Sequence, residues 1–163
     1  MCLNFRKTNE ITKKNQYPIS RQMEIFASFE GAGWFTLLDL ASGYWQVEID
    51  PKSREVIAFI TPWGLFKWNR MPFGLCNVPA TFQRLMNQVL RKYLRKFILV
   101  YLDDIIIYSK TFKEHKEHVQ LVFEALRATS LMMKPKKCKF VQKELDFLNT
   151  LYLLKESGWT LTK

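Results

Sequence analysis

The feature that most constrains this chain is a pair of aspartates, Asp103 and Asp104, set between its two most apolar segments, residues 97–101 and 105–109. Both flanking segments are rich in β-branched and aromatic residues, so they read as the arms of a tight hairpin with the acidic pair near its tip. Carboxylates held between such strands must be paired, hydrogen-bonded or metal-bound wherever they lose water. The plainer reading is an Asp-Asp turn whose side chains reach solvent, and it needs the same hairpin.

Other segments supply partners for that hairpin. WFTLLDL (34–40) reads as a short buried strand ending at Asp39, followed by a Ser42-Gly43 turn and a second extended stretch from Tyr44 to Ile49. Residues 56–61 and 65–71 flank Pro62-Trp63-Gly64 and read as a second hairpin. From Pro79 the apolar positions Phe82, Leu85, Met86, Val89, Leu90, Tyr93 and Leu94 recur at helical spacing, with Pro79 suited to the first turn. Thr111-Phe112-Lys113-Glu114 is a capping box that opens a helix with Val119, Val122, Phe123 and Leu126 on its apolar face, and Pro135 closes that unit. Residues 139–154 suggest one or two further strands. The sum is an α+β chain with an antiparallel sheet rather than a doubly wound βαβ array.

The 163 residues fit one domain or a piece of a larger protein, and 48% apolar residues with 13 Phe, 6 Tyr and 5 Trp are those of a folding chain. No apolar run approaches the roughly 20 residues of a membrane span, and residues 1–15 lack the apolar segment of a secretory signal. The expectation is a soluble, intracellular protein without a membrane partner. Cys2, Cys76 and Cys138 are odd in number and form no C-x-x-C, which points to a reducing compartment and no zinc site. The net charge of +10 is uneven: nine basic and seven acidic residues lie in 1–80, sixteen and eight in 81–163. The second half, with Lys134, Lys136, Lys137, Lys139 and Lys143, suits a polyanion, or else a lysine-rich solubilising surface.

Asp39 ends another apolar strand, where it either caps the following turn or joins Asp103 and Asp104 in an oxygen-ligand cluster. Three such carboxylates suit Mg²⁺, which takes carboxylates together with substrate phosphates. Two ions about 3.5 to 4 Å apart would clamp the attacking and leaving oxygens of a phosphoryl displacement.

Four blocks then carry a resemblance. FTLLDLASGYWQVEI, MPFGLCNVPATFQRLMN, LVYLDDIIIYSK, and the lysine-rich KPKKCKF with DFL resemble, in order and spacing, the reverse transcriptase of gypsy-type long-terminal-repeat retrotransposons and of retrovirus-related Pol polyproteins. FRKTNEITKKNQYPIS is similar to the family's segment at the junction of fingers and palm, with Arg6 at a position that braces the fingers.

The resemblance implies a polymerase palm, an antiparallel sheet backed by helices, with part of the fingers. It divides the chain into late fingers and junction (1–33), palm (34–145) and the start of a primer grip or connection (146–163). It implies an RNA-directed DNA polymerase that adds dNTPs to a primer 3′-hydroxyl on an RNA or DNA template, with two Mg²⁺ ions or Mn²⁺ in their place. Asp39, Asp103 and Asp104 become the metal ligands. The backbone of Leu40, Ala41, Ser42 and Gly43 would approach the triphosphate, and Tyr44 would be an aromatic gate beneath the sugar, or else a core tyrosine. Phe73, Gly74 and Leu75 would line the nucleotide pocket, Phe73 standing where retroviral enzymes often have glutamine. Lys137 matches a lysine that protonates the departing pyrophosphate, or else contacts phosphate generally. His115 and His118 match a family H-x-x-H that binds no metal, so replacing both with alanine is expected to leave activity within a few-fold. Trp63, Phe66 and Trp68 either stack on template bases or, the preferred reading, pack in the core.

The chain departs from the family pattern where Phe147-Leu148 is followed by Asn149-Thr150, which leaves the primer grip in doubt. The resemblance also implies that fingertip residues, thumb, ribonuclease H and integrase segments belong to a longer polyprotein. The expectation is therefore weak, salt-sensitive binding and poor extension by these 163 residues alone. A degenerate element copy that binds nucleic acid without turnover is the competing reading.

Overall fold

Residues Ile105, Ile106, Ile107 and Tyr108 are all buried, which a strand can satisfy only in the middle of a sheet covered on both faces. In the computed structural model, which describes residues 3–17, 22–40, 42–147, 150–155 and 158–162, strand β5 (Asp104–Ser109) has that position. It pairs antiparallel with β4 (Ile98–Tyr101) on one side and β1 (Trp34–Asp39) on the other, and β6 (Lys139–Gln142) completes the order β4-β5-β1-β6. Side chains alternate across the sheet. Leu38, Ile105 and Ile107 face one cluster with Phe82, Met86, Leu90, Val122 and Leu126, while Phe35, Ile106 and Tyr108 face a second with Ile25 and Phe29.

The first face is covered by α4 (Val78–Val89) and α5 (Phe112–Ala128), and the second by the chain around α2 (Gln22–Ala27). Helix α4 has Pro79 in its first turn, as the spacing predicts, but ends at Val89 with Leu90 as its C-cap. Tyr93 and Leu94 lie beyond it and still pack against the core. Helix α5 opens with both halves of the capping box, Glu114 N–H to Thr111 Oγ1 at 3.3 Å and Thr111 N–H to Glu114 Oε2 at 3.1 Å. Three short helices, α1 (Arg6–Ile11), α2 and α3 (Pro51–Arg54), lie outside the predicted elements. Beyond β6 the chain forms β7 (Glu144–Phe147), β8 (Thr150–Lys155) and β9 (Gly158–Thr162), an antiparallel meander and more strand than the sequence suggested.

Two expectations are corrected. The stretch from Tyr44 begins as a 3-10 turn, Gly43–Gln46, not as a strand. Its apolar residues reach the core by a tight turn that the Arg70 guanidinium holds, donating to the Gln46 carbonyl at 2.6 Å. The Pro62-Trp63-Gly64 hairpin, β2 (Phe59–Thr61) with β3 (Gly64–Phe66), projects from the domain. Trp63 at its tip is 86% exposed and Phe66 is exposed too, so neither packs in the core, whereas Trp68 is half-buried against Phe59. Among the described residues no helix is long and apolar enough to cross a membrane.

Candidate active site

Asp39 is the last residue of β1 and Asp104 the first of β5, and the two are cross-strand partners. By alternation both side chains leave the sheet on the face that carries Phe35 and Ile106, opposite α4 and α5. Asp103 sits in the two-residue connection from β4, after Leu102 at φ 53°, a left-handed conformation uncommon for a branched side chain. The Asp103 carbonyl accepts the Leu40 N–H at 3.4 Å, tying the turn to the end of β1.

The lysine-rich segment reaches the same edge. Met133 bridges to Leu40, Lys134 N–H donates to the Asp39 carbonyl at 2.9 Å, and Lys137 Nζ lies 3.2 Å from Asp39 Oδ2. Like charges directly opposite in a sheet repel, and Lys137 offsets part of that repulsion. Burial pushes the Asp103 carboxyl above the usual carboxylate range, against a hydrogen bond from Tyr44. Asp104 is pushed up to about 6 by burial, then by Asp39 and Asp103. The Tyr44 phenol is pushed up to about 12 by burial and by Asp103, so it stays a neutral donor.

Asp103 Oδ1 is buried without a hydrogen-bond partner among the described residues. A buried carboxylate oxygen left without a donor is costly, and an all-oxygen donor set in that state fits a hard divalent cation. Among the described residues no three His, Cys, Asp or Glu side chains are gathered as a ready-made ion cage.

The backbone after Asp39 turns sharply. Leu40 is buried, Ser42 adopts φ 49°, ψ 52°, and Trp45 N–H donates to the Ser42 carbonyl at 2.8 Å. Ala41 lies outside the described residues. Gly43 packs on Phe82 so closely that a Cβ would stand 2.7 Å from the ring Cζ. The Tyr44 ring meets Phe82 edge-on at 5.3 Å and Phe73 at 5.0 Å, leaving Phe73 half-exposed over it. Gly74 has φ 96°, and its carbonyl accepts from Asn9 Nδ2 at 2.8 Å. Leu75 packs against the core and, with Asn9, Met71 and Cys76, lines a cavity of about 350 Å³. Cys76 and Cys138 are free thiols. The chain at Leu148 and Asn149, where the primer grip is in doubt, lies outside the described residues.

His115 and His118 both turn to the Ser109 hydroxyl, at 2.9 and 2.8 Å, and His115 Nε2 also meets Thr36 Oγ1 at 2.8 Å. One residue at the site escaped the sequence reading. Gln83 is 3% exposed and bonds to the Asp103 turn, and its signal was a polar residue spaced three and seven before Met86 and Leu90 on the apolar stripe of α4.

The chain matches the family described as reverse transcriptase (RNA-dependent DNA polymerase) over residues 1–150, and it belongs to that family. It is 47% identical over 148 residues to the retrovirus-related Pol polyprotein from transposon 297 of Drosophila melanogaster, covering 91% of this chain and 14% of that protein. It is 45% identical over 128 residues to an RNA-directed DNA polymerase homolog of Oenothera berteroana, covering 77% of this chain and 90% of that one. Among solved structures, a foamy viral protease–reverse transcriptase in complex with RNA/DNA hybrid superposes with a TM-score of 0.84 at 25% identity, over 99% of this chain and 22% of that one. The chain thus spans a small part of most of these relatives, and its fold is the α+β polymerase fold they share.

Proposed function

We propose that the chain is the catalytic palm of an RNA-directed DNA polymerase, adding dNTPs to a primer 3′-hydroxyl on an RNA or DNA template as a segment of a longer polyprotein. The observation that carries this reading is the cross-strand pair Asp39–Asp104 with Asp103 in the adjoining turn, its Oδ1 buried and unpartnered. Asp39, Asp103 and Asp104 would hold two Mg²⁺, or Mn²⁺ in their place, which when bound stabilise the charge on the transferring phosphoryl group.

The remaining parts are the chain's own. Tyr44 keeps its proton and steadies Asp103, while its ring, fixed between Phe73 and Phe82, forms the floor beneath the sugar and excludes a 2′-hydroxyl. The Leu40–Gly43 backbone approaches the triphosphate, and Phe73, Gly74 and Leu75 form the side of the pocket. Lys137 presents a cation toward the leaving pyrophosphate, where developing negative charge is stabilised. The surplus of basic residues after position 80 holds template-primer.

The test is primer extension beside a salt-titrated binding isotherm, on this chain and on a longer one with flanking polyprotein segments. Asp103→Asn, Asp104→Asn and Asp39→Asn should each abolish extension while leaving duplex binding in place, and affinity should fall with salt at a slope near −0.9 per phosphate contact. Near-wild-type extension by the Asp103 and Asp104 variants overturns the metal assignment, and salt-insensitive binding overturns the electrostatic one. Binding without extension by both wild-type chains leaves the reading of a copy without turnover.

A further inference from the structure

The connection that carries Asp103 is an unfavourable piece of backbone. Leu102 is held at φ 53°, which costs a branched residue about 1 kcal/mol or more. Strand β4 is also the sheet's edge, so backbone groups that point away from β5 have no strand to bond. Val100 C=O and Leu102 N–H are two such groups on the same edge.

One side chain of α4 satisfies both. Gln83 Oε1 accepts the Leu102 N–H at 2.8 Å, and Gln83 Nε2 donates to the Val100 carbonyl at 3.0 Å, as a neighbouring strand would do. The amide orientation is fixed, because a backbone N–H can only donate and a carbonyl only accept. Gln83 Nε2 also donates to Asn87 Oδ1 at 3.1 Å, one turn along α4, and Asn87 Nδ2 donates to the Tyr17 hydroxyl at 2.8 Å. The chain of bonds runs from the junction segment to the catalytic turn without a break. Burying an amide on an apolar helix stripe is tolerated only when its hydrogen bonds are made, and here they are made to the turn.

We infer that Gln83 is a positioning residue: it acts through the Leu102 backbone to hold Asp103 and Asp104 where metal and nucleotide meet. The rate arm of this inference rests on the polymerase reading, but the structural arm does not. The test compares wild type, Gln83→Met, Gln83→Glu and, as control, Gln88→Met on the exposed side of α4, with thermal midpoints recorded for each. Three quantities are read: hydrogen exchange at the Leu102 amide, Mn²⁺ affinity, and the single-nucleotide extension rate against dNTP affinity.

Gln83→Met should speed Leu102 exchange about tenfold, the loss of roughly one hydrogen bond, and weaken Mn²⁺ about 10-fold or more, as removal of a ligand's support does. The extension rate should fall more than dNTP affinity, since the support acts on the reacting groups. Gln83→Glu keeps the acceptor for Leu102 and loses the donors to Val100 and Asn87, so its exchange should lie between, and it serves if the Met variant fails to fold. Leu102 exchange unchanged from the Gln88→Met control in a folded variant overturns the inference. A wild-type chain carrying its flanking polyprotein segments that does not extend primer, while the exchange and Mn²⁺ contrasts hold, defeats the polymerase reading and leaves the turn support standing.

Discussion

Lys137 Nζ stands 3.2 Å from Asp39 Oδ2 across 98 residues of sequence, so the lysine-rich segment and the end of β1 close on the same point. The pair is partly solvated, and its importance lies in the charge it sets beside Asp103 and Asp104 rather than in stability. Lys137→Met should slow extension at least about tenfold by removing charge stabilisation of the transition state. Lys137→Arg keeps a permanent charge but cannot release a proton, and it should recover most of that rate. An Arg variant as slow as the Met variant in single-turnover extension would instead make Lys137 a proton donor.

Tyr44 has two separable parts, a ring between Phe73 and Phe82 and a hydroxyl on Asp103. Tyr44→Val should raise ribonucleotide over deoxyribonucleotide incorporation by an amount on the order of 1 to 3 kcal/mol, the range for one shape contact. Tyr44→Phe keeps the ring and should keep the discrimination while losing the bond to Asp103. Competition assays with paired ribo- and deoxyribonucleotides decide it; an unchanged ratio in the Val variant would make Tyr44 only a core residue.

Gly43→Ala places a Cβ 2.7 Å from the ring of Phe82, which is fully buried on α4. Overpacking of this kind costs about 1 to 3 kcal/mol. Phe82→Leu should cost less in the Gly43→Ala background than in wild type, because it opens the space the new methyl needs. A denaturant-unfolding double-mutant cycle with purely additive losses would refute the contact.

Elements whose logic is local were legible before the structure. The β4–β5 hairpin, α4 with Pro79 in its first turn and the Thr111–Glu114 box all follow from residues near one another in sequence. What escaped depends on distant neighbours. Tyr44 and Trp45 read as strand, but Gly43 against Phe82 and Arg70 on Gln46 turn that backbone into 3-10 form. Gln83 could not be tied to Leu102 without knowing that α4 crosses the edge of β4, nor His115 to Thr36 without the order of the sheet.

His115 changes the expectation that both histidines can be removed at little cost. It is fully buried, with Thr36 and Ser109 on its two ring nitrogens, and His118 shares the Ser109 hydroxyl while stacking on Phe97 at 3.7 Å. Truncation to alanine empties a fully buried site and takes one partner from each of two hydroxyls, Ser109 keeping His118 and Thr36 keeping the Val141 N–H, so His115→Ala should destabilise the fold and lower activity through loss of folded protein. The same burial, and then the neighbouring His118, lowers the His115 pKa to about 4. Below about 6.5 the unfolded chain takes up a proton that folded His115 refuses, so this group's contribution is complete above pH 6.5 and is lost on acidification toward 4. At about 1.4 kcal/mol per pH unit the loss approaches 2 kcal/mol by pH 5. Asp104 works against it, since a carboxyl raised to about 6 favours the folded state as pH falls over the same range. The contrast must therefore be taken between wild type and His115→Gln, which keeps a polar group at the site but does not titrate. Urea midpoints measured at pH 7.5 and 5 should drop further on acidification in wild type than in the variant. Parallel pH slopes would remove His115 as the titrating group.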